Sequence, residues 1–193
     1  MMPDPEPRKN TRAAPTLLAL ITVFVLPIIL AWWLAVVRPP VGEGKLLNHG
    51  TLIRPPIDIA SNPATRPLEK IELSPGEWAM VYVGGGPCEA ACVAALNKLA
   101  KIRAVLGQGA IRVRVAALVD GSDGTVPGTV IVTDRQARSF LSGTLGSRLA
   151  AEAEHGIVFL DWRGQIMMYF EVDASSGDIK KDVKRLLRAS KIK

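Results

Sequence analysis

From Thr16 to Val37 the chain runs 22 residues without a charged side chain and then meets Arg38. In a nonpolar medium such a run can satisfy its backbone only within itself, so it predicts a helix. At 1.5 Å per residue it reaches about 33 Å, enough for a hydrocarbon core of ~30 Å. Pro27 falls mid-run, where a spanning helix tolerates a kink. Trp32 and Trp33 lie near the far end, where indoles favour the headgroup region. A cleavable signal would have a shorter apolar core followed by a small-x-small site. The run therefore reads as an uncleaved anchor, residues 16–37, after a short tail of residues 1–15. Arg8, Lys9 and Arg12 outnumber Arg38 and Lys45 across it. The positive-inside bias then places the N-terminus in the cytoplasm and the long remainder outside.

The chain has 193 residues with 48% apolar side chains, so the part beyond the anchor has room for one ordinary domain, and disorder is excluded. The formal net charge of +6 is confined to the C-terminal end. Residues 180–193 hold Lys180, Lys181, Lys184, Arg185, Arg188, Lys191 and Lys193 against Asp182, and the remainder sums to zero. Lysines on the outer side of one helix read as a solvated face rather than a nucleic-acid surface.

Residues 38–76 hold seven of the fourteen prolines, including Pro39-Pro40 and Pro55-Pro56. They read as a stalk with short strands near Thr51–Ile53 and Ile57–Ile59, and His49 within it as solvent-exposed. Residues 77–193 read as the domain. Trp78–Val83 is a strand stopped by Gly84-Gly85-Gly86-Pro87. Cys88–Leu106 has helical apolar spacing, with Gly107 as its stop. Ile111–Val119 is a second strand and Val130–Val132 a short apolar piece. Thr133 or Asp134 then caps a helix through Leu141. Ile157–Trp162 and Gln165–Val172 form a hairpin over Arg163-Gly164, and Asp178–Ala189 is an amphipathic helix. The order implies a parallel pair with a crossover helix and an antiparallel edge. This is a thioredoxin-like α/β arrangement with one N-terminal transmembrane helix.

Cys88 and Cys92 are the only cysteines, four residues apart, so a helix starting near Cys88 puts both sulfurs on one face. A helix N-terminus favours the thiolate. Two adjacent thiolates suit Cu(I) or Zn, and a local adjustment of the turn would let them close into a disulfide. The spacing is one residue wider than the Cys-x-x-Cys of reductases. Buried free cysteine would be only a small hydrophobe.

In Gly86-Pro87-Cys88-Glu89-Ala90-Ala91-Cys92, the sequence resembles the Sco family, the copper chaperones of cytochrome c oxidase assembly. It does so again in Glu154-His155-Gly156-Ile157-Val158-Phe159-Leu160-Asp161 and the turn Trp162-Arg163-Gly164-Gln165. Val119-Asp120-Gly121-Ser122-Asp123-Gly124-Thr125 is loosely similar to the family's acidic segment. The motif departs from the family pattern at Glu89-Ala90-Ala91, where proline and aspartate are usual. The resemblance implies a thioredoxin fold behind a membrane anchor, and a copper site of Cys88, Cys92 and His155. It also implies a partner in the copper-bearing subunit of cytochrome c oxidase or another assembly factor. The corresponding location is a single-pass inner-membrane protein with a periplasmic domain.

These residues are compatible with three functions. The first is a metallochaperone that hands on copper by ligand exchange, with its sulfurs accessible near the Gly-rich turn. The second is an enzyme, a thiol–disulfide oxidoreductase with Cys88 and Cys92 as the redox pair. The third is a non-catalytic assembly protein. Met167 and Met168 sit in a strand and read as packing. The triple glycine lacks the Gly-Lys-Ser/Thr ending of a phosphate loop and reads as a turn.

Overall fold

The structure, a computed structural model, describes residues 13–37, 48–121, 126–149 and 155–190. The chain divides into two compact units, Met1–Leu47 and Asn48–Lys193.

In the first unit α1 runs Ala13–Val37 with Pro27 inside it. Its side chains are described at Pro15 and from Ala19 to Leu34, and all of these are exposed, Val23 by 71% and Trp32 by 68%. Among the described residues no helix is long and apolar enough to cross a membrane. The flanking charges Arg8, Lys9, Arg12, Arg38 and Lys45 lie outside the described residues.

The second unit is a six-stranded mixed sheet in the order β1-β6-β5-β2-β3-β4. Its strands are β1 Thr51–Asp58, β2 Trp78–Val83, β3 Val113–Val119, β4 Thr129–Thr133, β5 Gly156–Asp161 and β6 Gln165–Glu171. β2, β3 and β4 are parallel neighbours, while β5 and β6 form the antiparallel hairpin. Successive side chains of a strand face opposite ways, and the two cores follow that alternation. Trp78, Met80, Tyr82, Ile157 and Phe159 face the core covered by α2 (Ala90–Ala104) and α4 (Ser176–Ala189). Ala79, Val81, Val83, Val158 and Leu160 face the other, covered by α3 (Arg135–Leu149) and a 3₁₀ segment, Pro63–Ile71. Every residue of β2 and β5 is buried, as a strand covered on both faces requires.

One expectation about this stretch needs correction. Residues 48–76 are not a stalk. β1 pairs antiparallel with β6, and Ile53, Ile57, Ile59, Leu68 and Ile71 are buried in the second core. Proline lacks an N–H, yet an edge strand interrupted by an irregularity tolerates it: Pro55-Pro56 fall between the paired Leu52 and Ile57. His49 is exposed, as expected, yet its ring has partners. Its Nδ1 lies 3.1 Å from Asp182 and its Nε2 3.3 Å from Asp178. Met168 is 3% exposed, in keeping with packing.

Candidate functional site

The register of the sheet decides what meets at its upper edge. Val83 pairs with Gly156 across β2 and β5, and with Leu118 across β2 and β3. The segments just beyond, Gly84–Cys88, Asp120–Gly121 and His155, therefore converge at the carboxyl end of the parallel strands, where α/β folds place their sites.

Cys88 precedes α2 rather than opening it, because Glu89 takes the N-cap position and Ala90 starts the helix. Cys92, in the first turn, is joined to Cys88 in a disulfide with Cα atoms 5.1 Å apart. The sulfurs are not accessible as expected, since Cys88 is 2% exposed and Cys92 3%, both within the α2-side core. Gly86 adopts φ +77°, a conformation that glycine reaches without penalty.

His155 is exposed and is held from both faces of the sheet. Its Nδ1 lies 3.4 Å from the hydroxyl of Tyr82, which belongs to the α2-side core. Its carbonyl accepts a 3.1 Å hydrogen bond from Tyr169, which belongs to the opposite core. These are the only two tyrosines of the chain. Burial raises the phenol pKa of each above 10.0, with Glu171 and Asp173 adding to it at Tyr169, so both remain hydroxyls at neutral pH. Gly85 lies between His155 and Arg138: a methyl there would sit 3.8 Å from Cε1 of His155 and 3.9 Å from Nη1 of Arg138. At Gly84 a side chain would strike the Tyr82 ring at 2.5 Å. The glycines thus make room for side chains as well as turning the backbone.

Among the described residues no group of three histidine, cysteine, aspartate or glutamate side chains is placed to hold a metal ion. With the disulfide formed, both sulfurs are committed to each other inside the core while the imidazole stands on the exposed rim. The three-ligand set of Cys88, Cys92 and His155 is not assembled in this state.

Sequence reasoning missed what braces the cysteine turn. Asp120 accepts a 3.1 Å hydrogen bond from the Gly86 N–H and a two-pronged pair of 3.0 Å bonds from Arg138 Nε and Nη2. The Arg138 guanidinium holds the Asp120 pKa below 3.8, with the Gly86 N–H and the nearby Arg135 assisting, and burial does not reverse the shift. An aspartate directly after a buried strand was the visible signal; its partner eighteen residues on was not. Residues 122–125 of the acidic segment lie outside the described residues.

Strand order, crossover helix and a cysteine pair at the first turn of α2 define a thioredoxin-like domain. The chain belongs to the family described as transmembrane-like, thioredoxin-like, C-terminal domain, whose model matches residues 78–190. No curated protein matches it in sequence. Similar solved structures include apo Sco1 of Thermus thermophilus, at 14% identity and TM-score 0.43, covering 62% of this chain and 83% of that one. ScoI of Bradyrhizobium japonicum with copper bound is 14% identical at TM-score 0.38, over 57% of this chain and 85% of the other. The thioredoxin domain of a thiol-disulfide oxidoreductase from Bacteroides vulgatus is 11% identical at TM-score 0.35, over 58% and 81%.

Proposed function

We propose that this is a membrane-anchored, Sco-like thiol protein whose reduced Cys88 and Cys92, with His155, take copper as cargo. It would deliver that copper, or prepare the copper site, during assembly of cytochrome c oxidase. The observation that carries the reading is the convergence at one sheet edge. A cysteine pair sits at a helix N-terminus, and beside its turn stands a histidine braced by two tyrosines. A helix N-terminus favours thiolate over thiol, and two thiolates with an imidazole form a soft set suited to Cu(I). Reduction of the disulfide must come first, because the thiolate, not the disulfide sulfur, is the metal ligand and both sulfurs are enclosed. The uncharged run Thr16–Val37 and the exposed apolar side chains of α1 support an anchor. In this reading the domain lies on the periplasmic side, and its partner is the copper-bearing oxidase subunit or another assembly factor.

The formed disulfide favours a second reading, a thiol–disulfide oxidoreductase acting on cysteines of a membrane or periplasmic partner. Both readings use Cys88 and Cys92; only the first needs His155. Anaerobic titration of reduced residues 39–193 with Cu(I) against a competing chelator tests them. One equivalent should bind, with loss in Cys88→Ser and a fall of more than about 100-fold in His155→Ala, since even supporting residues of metal sites are worth 10–100-fold. Absence of copper binding alongside reversible dithiol formation would transfer the assignment to the oxidoreductase.

A further inference from the structure

The Gly84–Pro87 turn leads directly into the buried Cys88, so the bonds that hold the turn bear on how readily Cys88 leaves its enclosed position. Three hydrogen bonds tie the turn and Cys88 to the segment after β3. The Gly86 N–H donates to Asp120 Oδ2 at 3.1 Å, and the Asp120 N–H donates to the Gly86 carbonyl at 3.0 Å. The Cys88 N–H donates to the Gly121 carbonyl at 3.0 Å, and Pro87 and Gly121 form a parallel bridge. The Asp120 carboxylate is fixed in turn by Arg138, with side chains only 11% and 19% exposed. Arg138 is itself rooted in the capped first turn of α3, where its N–H donates to the Asp134 carbonyl and the Asp134 side chain caps Ala137. Arg135, 80% exposed and 4.0 Å from Asp120, is peripheral. An unbroken path thus leads from α3 through one enclosed ion pair to Gly86, two residues before Cys88.

We propose that Asp120 and Arg138 are the positioning pair of the cysteine site, a latch that fixes the turn leading into Cys88 and sets how fast the disulfide is reached. This rests on the reading of Cys88 and Cys92 as the reactive pair. Copper loading and thiol exchange both begin with access to the sulfurs, so the latch acts before either. A local opening can be far cheaper than global unfolding, and here its cost is concentrated in one ion pair and the hydrogen bonds it orients.

The test is the rate at which dithiothreitol reduces the disulfide in the folded full-length protein in detergent. One dithiothreitol thiolate attacks a sulfur of the pair, forming a mixed disulfide as the protein S–S bond breaks. The second thiol then closes the cyclic dithiothreitol disulfide and releases two protein thiols, so two electrons pass to the protein. Asp120→Asn and Arg138→Gln are each expected to speed reduction by about tenfold or more. The double variant should be no faster than the faster single, because the two groups act as one unit. Ile166→Ala, in β6 and buried in the core on the opposite face of the sheet, lowers stability without touching the latch and should reduce at the wild-type rate. An unchanged rate in Asp120→Asn would overturn the proposal, as would rates that track unfolding free energy alone across all four variants. A protein that binds no copper and exchanges no thiols with a partner sinks the functional reading, while faster reduction in Asp120→Asn still upholds the latch.

Discussion

Replacing Gly156 with alanine is expected to lower the unfolding free energy of the domain by about 3 kcal/mol, the upper end of what overpacking a tight core costs. The position is the first of β5, paired to Val83 in a strand buried along its whole length. A Cβ built there would lie 2.1 Å from the Tyr169 ring, and no rotation of the methyl group relieves that overlap. Either the ring or the strand must move. If the ring moves, its hydroxyl leaves the carbonyl of His155, so the damage reaches the rim of the site. Chemical denaturation of residues 39–193 measures the loss, and a double-mutant cycle assigns it. In a Tyr169→Ala background the same substitution should cost less than about 1 kcal/mol, leaving a coupling of roughly 2 kcal/mol. A cost unchanged by removal of the ring would rule out the steric explanation.

Much of the domain is written in short-range pattern. Trp78–Val83 reads as a strand because six apolar or aromatic residues end at glycine, and β2 has those bounds. The hairpin of β5 and β6 turns at Arg163-Gly164, with Gly164 at φ +81°. The helix after Asp134 runs on to Leu149, well past Leu141. Ser142-Gly143-Thr144 resembles a stop, but Leu145 is fully buried against the sheet, and that packing outweighs the low helix propensity of glycine. Residues 48–76 mislead for the complementary reason. Five prolines break their pattern, and the five isoleucines and leucines that bury are scattered among them. Their strand forms only because β6, more than a hundred residues later, offers an edge.

The site divides the same way. Cysteine spacing is local, and the disulfide is the outcome left open by that spacing alone. His155 is placed by register, which the hairpin pattern implies. The braces are not local: Tyr82 reaches His155 across 73 positions and Arg138 reaches Asp120 across 18. Nothing in a linear pattern distinguishes an arginine that holds a turn from one that faces solvent.

Asp182→Ala is expected to cost about 3 kcal/mol at neutral pH, within the range for breaking an enclosed charge network. Asp182 is 1% exposed on α4. It accepts from the backbone N–H of His49 at 2.6 Å and of Gly50 at 3.0 Å, faces His49 Nδ1 at 3.1 Å, and accepts from Arg185 at 3.0 Å. His49 Nε2 lies beside Asp178, which also pairs with Lys181. One carboxylate thereby fastens the start of the domain to its last helix. Burial pushes the Asp182 pKa up, but the bonds from Gly50, His49 and Arg185 outweigh it and hold the group below 3.8. A carboxylate whose pKa is depressed by folding contributes stability that is complete above the unfolded value and is lost as pH falls through the folded one. The stability difference between wild type and Asp182→Ala should therefore stay constant from pH 7 to about 5 and shrink below 3.8. Asp182→Asn should recover part of the loss at neutral pH, since its carbonyl can still accept from Gly50, and its difference from wild type should also narrow in acid. A difference that grew as pH fell would mean that Asp182 is not the charged anchor of this corner.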